Sequence, residues 1–216
     1  MIDRTWYLVR HGETVWNAEG RMQGQFESRL NPLGHMQAAR SGEALARLGV
    51  DHVYASPLLR VRQTLAEIAP HLPLAPVFDD RLKEWSSGEW SGFLYADIAT
   101  RWPADFAAWD ADRFAVRSPG GENFIDLGVR AESFFAAAAG VAHRRIAVVA
   151  HGFINRALAA QLMGLSPTEM MAIRQSNDVI LRIRTGAGAP AADHFVAGEG
   201  PFPGLPGEMR AQQESA

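Results

Sequence analysis

The 216-residue chain contains no cysteine. Disulfides, thiolate nucleophiles and cysteine-ligated zinc are therefore excluded, and the composition suits a reducing compartment. Long apolar runs are missing too. The opening residues, Met1 to Gly12, have no extended apolar core of the signal-peptide kind. The densest small-apolar run, Phe134 to Ala139, falls far short of the roughly 20 residues that cross a bilayer. A cytoplasmic location is expected. Neither sign of charge dominates: 21 Lys and Arg stand against 24 Asp and Glu, a formal net charge of −3. No global field is available to wrap nucleic acid or to hold an anionic membrane, so neither is expected as a partner. Any anion must be recognised by a local cluster of cations. No internal repeat and no low-complexity block is present. What remains is a chain with 47% hydrophobic residues, long enough to bury a sizeable core in one domain.

Short apolar runs rich in β-formers recur at Thr5 to Val9, His52 to Ala55 and Ile146 to Ala150, with a weaker one at Pro76 to Phe78. Their near-continuous apolarity predicts strands buried on both faces. Asn31 and Ser56 each precede a proline, the arrangement of an N-cap residue before a proline in the first helical turn. Ala38, Gly42, Leu45 and Leu48 make one helical stripe that Gly49 terminates, and Val61, Leu65 and Ile68 make a second. A third helix is expected from about Glu122 to Ala139, with Phe124, Leu127, Ala131 and Phe134 on one face. A fourth follows the Ile146 strand and stops at Gly164. Val179 to Ile183 and His194 to Val196 read as late strands joined across the TGAGAP turn. The alternation predicts an α/β fold, a three-layer α/β/α sandwich around a doubly wound, mostly parallel sheet. Residues 1–197 are expected to form a single domain. Within it, 86–118, carrying Trp90, Trp102 and Trp109, form a helical insertion over the active-site edge. Residues 198–216, rich in glycine and proline and then polar, are expected to be an irregular or disordered tail.

In open α/β sheets, ligands bind outside the carboxyl ends of the strands, where loops and helix N-termini present free N–H groups. The first strand ends in Arg10 and His11, the second leads to Ser56 and Arg60, and the Ile146 strand ends in His151 and Gly152. Two arginines and two histidines thus meet at one edge, and Glu84 follows another short β-like segment. Guanidinium forks match phosphoryl oxygens bidentately, and positive helix ends reinforce the field. A neutral imidazole is a competent nucleophile, a second histidine stabilises transferring charge, and a carboxyl group protonates a leaving oxygen. Each residue alone has a plainer reading: Arg60 as a solvated helix residue paired with Glu67, His151 as a satisfied strand-end histidine. Glu13, Glu89 and Glu122 compete with Glu84 for the role of acid.

In register along the chain stand VRHGETVWN with GRMQG, YASPLLRVRQT, RLKEWSSGEWSG, SPGGENF and VVAHG. Together they resemble the histidine phosphatase superfamily, also called phosphoglycerate mutase-like, over almost the whole chain to about residue 185. The resemblance implies His11 as the phosphorylated nucleophile and Glu84 as proton donor and then base. It implies Arg10, Arg60 and His151 as the phosphate pocket, His151 also counting as catalytic, with Asn17 touching the phosphate. Gln23, Gly24 and Gly152 are candidate substrate contacts.

The expected reaction is hydrolysis of a small phosphorylated metabolite through a phosphohistidine, with no cofactor and no metal, since adjacent arginines repel a cation. His11 must attack as neutral imidazole, its other nitrogen donating to an acceptor such as a nearby backbone carbonyl. The glycolytic mutase branch carries a longer basic insertion after its acid residue, which this chain lacks, and that favours hydrolysis. A phosphoglycerate mutase-type phosphotransferase is the alternative reading, followed by a phosphohistidine phosphatase and a catalytically silent phospho-ligand binder. Phe153, Asn155, Glu27 and Arg29 depart from the family pattern and bear on pocket shape. Trp85, Trp90, Phe93 and Tyr95 are candidates for its aromatic wall.

Overall fold

The computed structural model describes residues 3–207. In chain order they form β1 (Arg4–Arg10), α1 (Val15–Glu19), α2 (Pro32–Arg47), β2 (His52–Ala55), α3 (Leu59–Ile68) and β3 (Val77–Phe78). Two 3-10 turns lead to α4 (Tyr95–Arg101), α5 (Pro103–Ala111) and α6 (Phe124–Ala138). Then follow β4 (Arg145–Ala150), α7 (Gly152–Met163), α8 (Pro167–Ala172), β5 (Val179–Thr185), β6 (Ala191–Val196) and β7 (Glu199–Pro203).

The seven strands form one mixed sheet in the order β3-β2-β4-β1-β5-β6-β7. The doubly wound half, β3-β2-β4-β1, is parallel, and β5 to β7 extend it antiparallel through hairpins. Both faces of the central strands are covered, which explains their unbroken apolarity. Trp6 and Leu8 of β1, with Ile146 and Val148 of β4, face a core shared with α6, α7 and the Trp90 and Trp109 side chains. Tyr7, Val9, Ala147 and Val149 face a second core under α2 and α3. Residues 86–118 are thus anchored to the core by Trp90 and Trp109, because an indole buries too much apolar area to be left outside.

Two expectations are corrected. Residues 199–203 are an edge strand paired with β6 instead of irregular chain, while 208–216 lie outside the described residues. Ser56 does not cap α3. That helix starts at Leu59, whose N–H donates to the Glu27 carboxylate at 3.0 Å, so a distant acid supplies the capping charge. Asn31, by contrast, accepts from the Gly34 N–H with Pro32 at the first helical position, as expected. Among the described residues, no helix is long and apolar enough to cross a membrane.

Candidate active site

Strand register brings the site together. Arg10 of β1 pairs with Ala150 of β4, and Ala55 of β2 pairs with Val149. The His11 N–H donates to Ala150 O at 3.1 Å, and the Ser56 N–H to Val149 O at 3.0 Å, so the three strand ends are level. Gly12 follows because no Cβ fits there: one would run into the Gly34 backbone at the start of α2.

His11 is buried, and its Nδ1 lies 2.8 Å from Gly12 O. A carbonyl only accepts, so Nδ1 carries the proton and Nε2 holds the free lone pair. Burial first, then the Arg60 and Arg10 charges, hold the imidazole well below its ordinary 6.5. At neutral pH the imidazole is uncharged. Asn177 fixes the backbone beneath it, donating from Nδ2 to His11 O at 2.7 Å.

His151 is fully buried with its ring centroid 5.2 Å from that of His11. Arg60 Nε donates to its Nδ1 at 3.1 Å, which leaves Nε2 protonated and 2.8 Å from Ser56 Oγ. Burial, Arg60, His11 and Arg10 depress it well below 6.5. Both ring nitrogens are occupied, and the ring stands behind Arg60 instead of lining the cavity. In this arrangement it acts on the pocket through Arg60, and the Ser56 hydroxyl, buried against the imidazole, is unavailable as a helix cap.

Arg60 donates to Gly24 O at 2.7 Å and Phe26 O at 2.9 Å, and burial lowers its pKa to about 10. The plainer reading of Arg60, a solvated helix residue paired with Glu67, does not describe it: Arg60 is buried and Glu67 meets His35. Arg10 donates through one terminal nitrogen to Gln175 O at 2.8 Å, while its buried Nε has no protein partner. Asn17 accepts from the Thr14 N–H with Oδ1 at 3.1 Å in a capping box, and it lines the cavity. Gln23, Gly24 and Gly152 line it as well, and Gly24 sits at φ +51, where a Cβ would strike Ser87.

Glu84 arrives on the loop after a 3-10 turn. Its Oε1 accepts from Trp85 N at 2.9 Å and from Phe153 N and Ile154 N at 3.2 Å, at the start of α7. Oε2 has a single long contact, 3.3 Å from Phe153 N, and is the freer oxygen. Arg130 clamps the loop from α6, donating to Arg81 O, Lys83 O and Glu84 O. Glu122 pairs with Arg130, Glu13 accepts from Asn31, and Glu89 is exposed. Glu84 is the one carboxylate among the residues that line the cavity of about 170 Å³.

Of the proposed aromatic wall, Trp85 and Tyr95 line this cavity, whereas Trp90 is fully buried in the core and Phe93 packs against it. Among the lining residues that sequence reasoning missed are Gln175 and Arg156. Gln175 is buried, spans Leu8 O and Val179 O from Nε2, and accepts from Asn155, so the unusual polar Asn155 serves the shell around Arg10. Arg156 stands one turn into α7; its spacing of four from Gly152 was the available signal.

The two neutral histidines make stability depend on pH. The unfolded chain binds protons at them near 6.5 and the folded chain does not, so stability is full above that value and is lost as pH falls below it. In phosphate-free buffer, urea unfolding at pH 5.5 should give a free energy lower than that at pH 7.5 by about 1 to 3 kcal/mol, shared between the two histidines. A His11→Gln variant should show about half that difference. An unchanged stability would contradict the buried neutral pair.

The model of the histidine phosphatase superfamily, branch 1, matches residues 6–197. Phosphoserine phosphatase 1 of Hydrogenobacter thermophilus is 34% identical over 162 residues, which are 73% of this chain and 75% of that protein. Phosphoglycerate mutase-like protein 4 of Arabidopsis thaliana is 36% identical over 155 residues, 70% of this chain and 67% of that one. Among solved structures, a mycobacterial glucosyl-3-phosphoglycerate phosphatase in complex with inorganic phosphate aligns with a TM-score of 0.79 at 27% identity, covering 91% of this chain and 100% of that one. With nearly its whole described length matched and relatives above 30% identity, the chain belongs to the histidine phosphatase superfamily, branch 1.

Proposed function

We propose that this phosphatase is a metal-independent phosphomonoesterase that hydrolyses a small phosphorylated metabolite through a phosphohistidine on His11. The observation that carries the reading is a buried, uncharged His11, its Nδ1 pinned to Gly12 O, held neutral by burial and by the charges of Arg60 and Arg10. Nε2 attacks phosphorus as the bond to the leaving oxygen breaks, and Glu84 gives its proton to that oxygen. Arg10 and Arg60, with Asn17, neutralise the phosphoryl oxygens. His151 accepts from Arg60 Nε and so orients that guanidinium toward the phosphoryl oxygens, its own Nε2–H remaining on Ser56. Water then attacks phosphorus, Glu84 takes its proton, and the P–N bond breaks to release phosphate. The relatives named phosphatases support hydrolysis, and the relative named mutase-like keeps transfer to a second hydroxyl as the competing outcome. The donor set opposes a metal: arginines face the histidine nitrogens that would ligate one.

Phosphate release from a panel of small phosphate esters tests this reading. EDTA-resistant release is expected, and activity that needs added divalent cation would reject the metal-independent mechanism. Transfer of the phosphoryl group to an added alcohol in preference to water would favour the mutase-type alternative.

A further inference from the structure

The aim of Arg10 depends on a single carbonyl. Its Nη1 donates to Gln175 O at 2.8 Å, while its buried Nε has no partner among the described residues. The start of α7 lies against that nitrogen: a Cβ on Gly152 would stand 3.6 Å from both Cζ and Nε of Arg10. Tying Nη1 leaves the fork of Nε and Nη2, the edge of a guanidinium that meets two phosphoryl oxygens at once. Which way that fork faces is set by Gln175 O.

Gln175 is in turn held at both polar atoms of its side chain. Nε2 donates to Leu8 O at 2.9 Å and to Val179 O at 3.0 Å, so the amide is wedged between β1 and β5 where their ladder ends at Val9 and Ile180. Both protons of Nε2 are spent on carbonyls, which only accept, and this gives the amide one orientation. Oε1 therefore needs a donor. Asn155, in the first turn of α7, supplies it from Nδ2 at 3.0 Å. Asn155 is fully buried, and its Oδ1 has no protein partner. A leucine would occupy the same place without stranding a buried oxygen, so the amide is kept at a cost in stability that marks service to the site.

We propose that Asn155 is a positioning residue for Arg10: it locks the Gln175 amide, and with it the carbonyl that aims the Arg10 fork at the phosphoryl group. The inference rests on the phosphomonoesterase reading above and assigns the side chains that orient one of its two arginines. Without the Asn155 donor, Oε1 of Gln175 is buried unpaired, and the amide can lower that cost only by shifting, which moves the carbonyl on which Arg10 depends. The effect falls on the phosphoryl end, so it is shared by every ester and by inorganic phosphate.

Calorimetric binding of inorganic phosphate, with kcat/KM on p-nitrophenyl phosphate and two alkyl phosphates, tests this in Asn155→Leu and Asn155→Ser, which remove the donor with and without filling its space. In each, the phosphate Kd should rise and kcat/KM should fall by about 5- to 20-fold, the ranking of the esters being unchanged. Arg10→Lys closes the cycle. An ammonium has no fork to aim, so in that background the same substitutions should alter the phosphate Kd by less than about twofold. Phosphate affinity within about twofold of wild type in both single variants, or a loss just as large in the Arg10→Lys background, would overturn the assignment. The second of these is the result that general loosening of the site would give. Binding and hydrolysis fail separately. If wild type hydrolyses p-nitrophenyl phosphate in a His11-dependent way and the Asn155 variants match it in both readouts, only Asn155 is misassigned. If wild type hydrolyses no ester at all, the phosphomonoesterase reading fails, and the phosphate Kd values still decide whether Asn155 acts through Arg10.

Discussion

Replacing His11 with alanine should lower kcat by at least about 10⁴-fold on every ester and remove any phosphoenzyme. The size of the effect follows from what the side chain supplies. Among the described residues no second histidine lines the cavity, and His151 has both nitrogens engaged by Arg60 and Ser56. Water attacking directly would find arginines but no base placed opposite the leaving oxygen. Binding should be much less affected, because Arg60 is held by Gly24 O and Phe26 O and Arg10 by Gln175 O, none of which depends on the imidazole. Inorganic phosphate is therefore expected to bind the variant within about tenfold of wild type while turnover is lost. Turnover within tenfold of wild type in a clean preparation would remove His11 from the chemistry.

Glu84→Gln should divide substrates by leaving group. The amide oxygen can still accept from Trp85, Phe153 and Ile154, so the loop clamped by Arg130 keeps its shape. What is lost is the acid at the freer oxygen. In kcat/KM, which reads the phosphorylation step, alkyl phosphates, whose alkoxide leaves poorly, should lose about 10² to 10⁴-fold, while p-nitrophenyl phosphate, whose phenolate leaves readily, should lose less than about tenfold. Steady-state kinetics on both classes read the difference. Equal losses on the two would assign proton donation to another group.

The parts of the fold governed by local rules were legible before any coordinates. β2 runs from His52 to Ala55 as its apolar stretch predicts, and α7 ends at Gly164, a left-handed cap at φ 66. Elements without a periodic apolar face were not. α1 buries no residue and owes its start to the Thr14 and Asn17 capping box. α8 is six residues long behind the Ser166 box. β7 contains Gly200, Pro201 and Pro203, residues that argue against a strand, and it is tolerated because it lies at the edge of the sheet. Ser56 was misread because a serine before proline carries the signature of a cap, and only the three-dimensional register shows that its hydroxyl belongs to His151.

The site divides the same way. Arg10 and His11 stand at the end of β1, Arg60 in the first turn of the helix after β2 and Glu84 on the loop they face, so pattern and motif place them at one edge. Arg156 and Gln175 depend on helix phase and on the return of the chain before β5, which no short motif records. His151 is the instructive intermediate: its place at the end of β4 was evident, but its engagement by Arg60 and Ser56 was not.

The most direct test is rapid-quench trapping of the phosphoenzyme with phosphate-labelled substrate, followed by peptide mapping. The mechanism predicts an alkali-stable, acid-labile phosphate on His11 that forms and decays fast enough to account for turnover. It should accumulate in Glu84→Gln with an activated aryl phosphate, where water lacks its base. Label on another residue, or turnover with no labelled enzyme at any time in either protein, would contradict it.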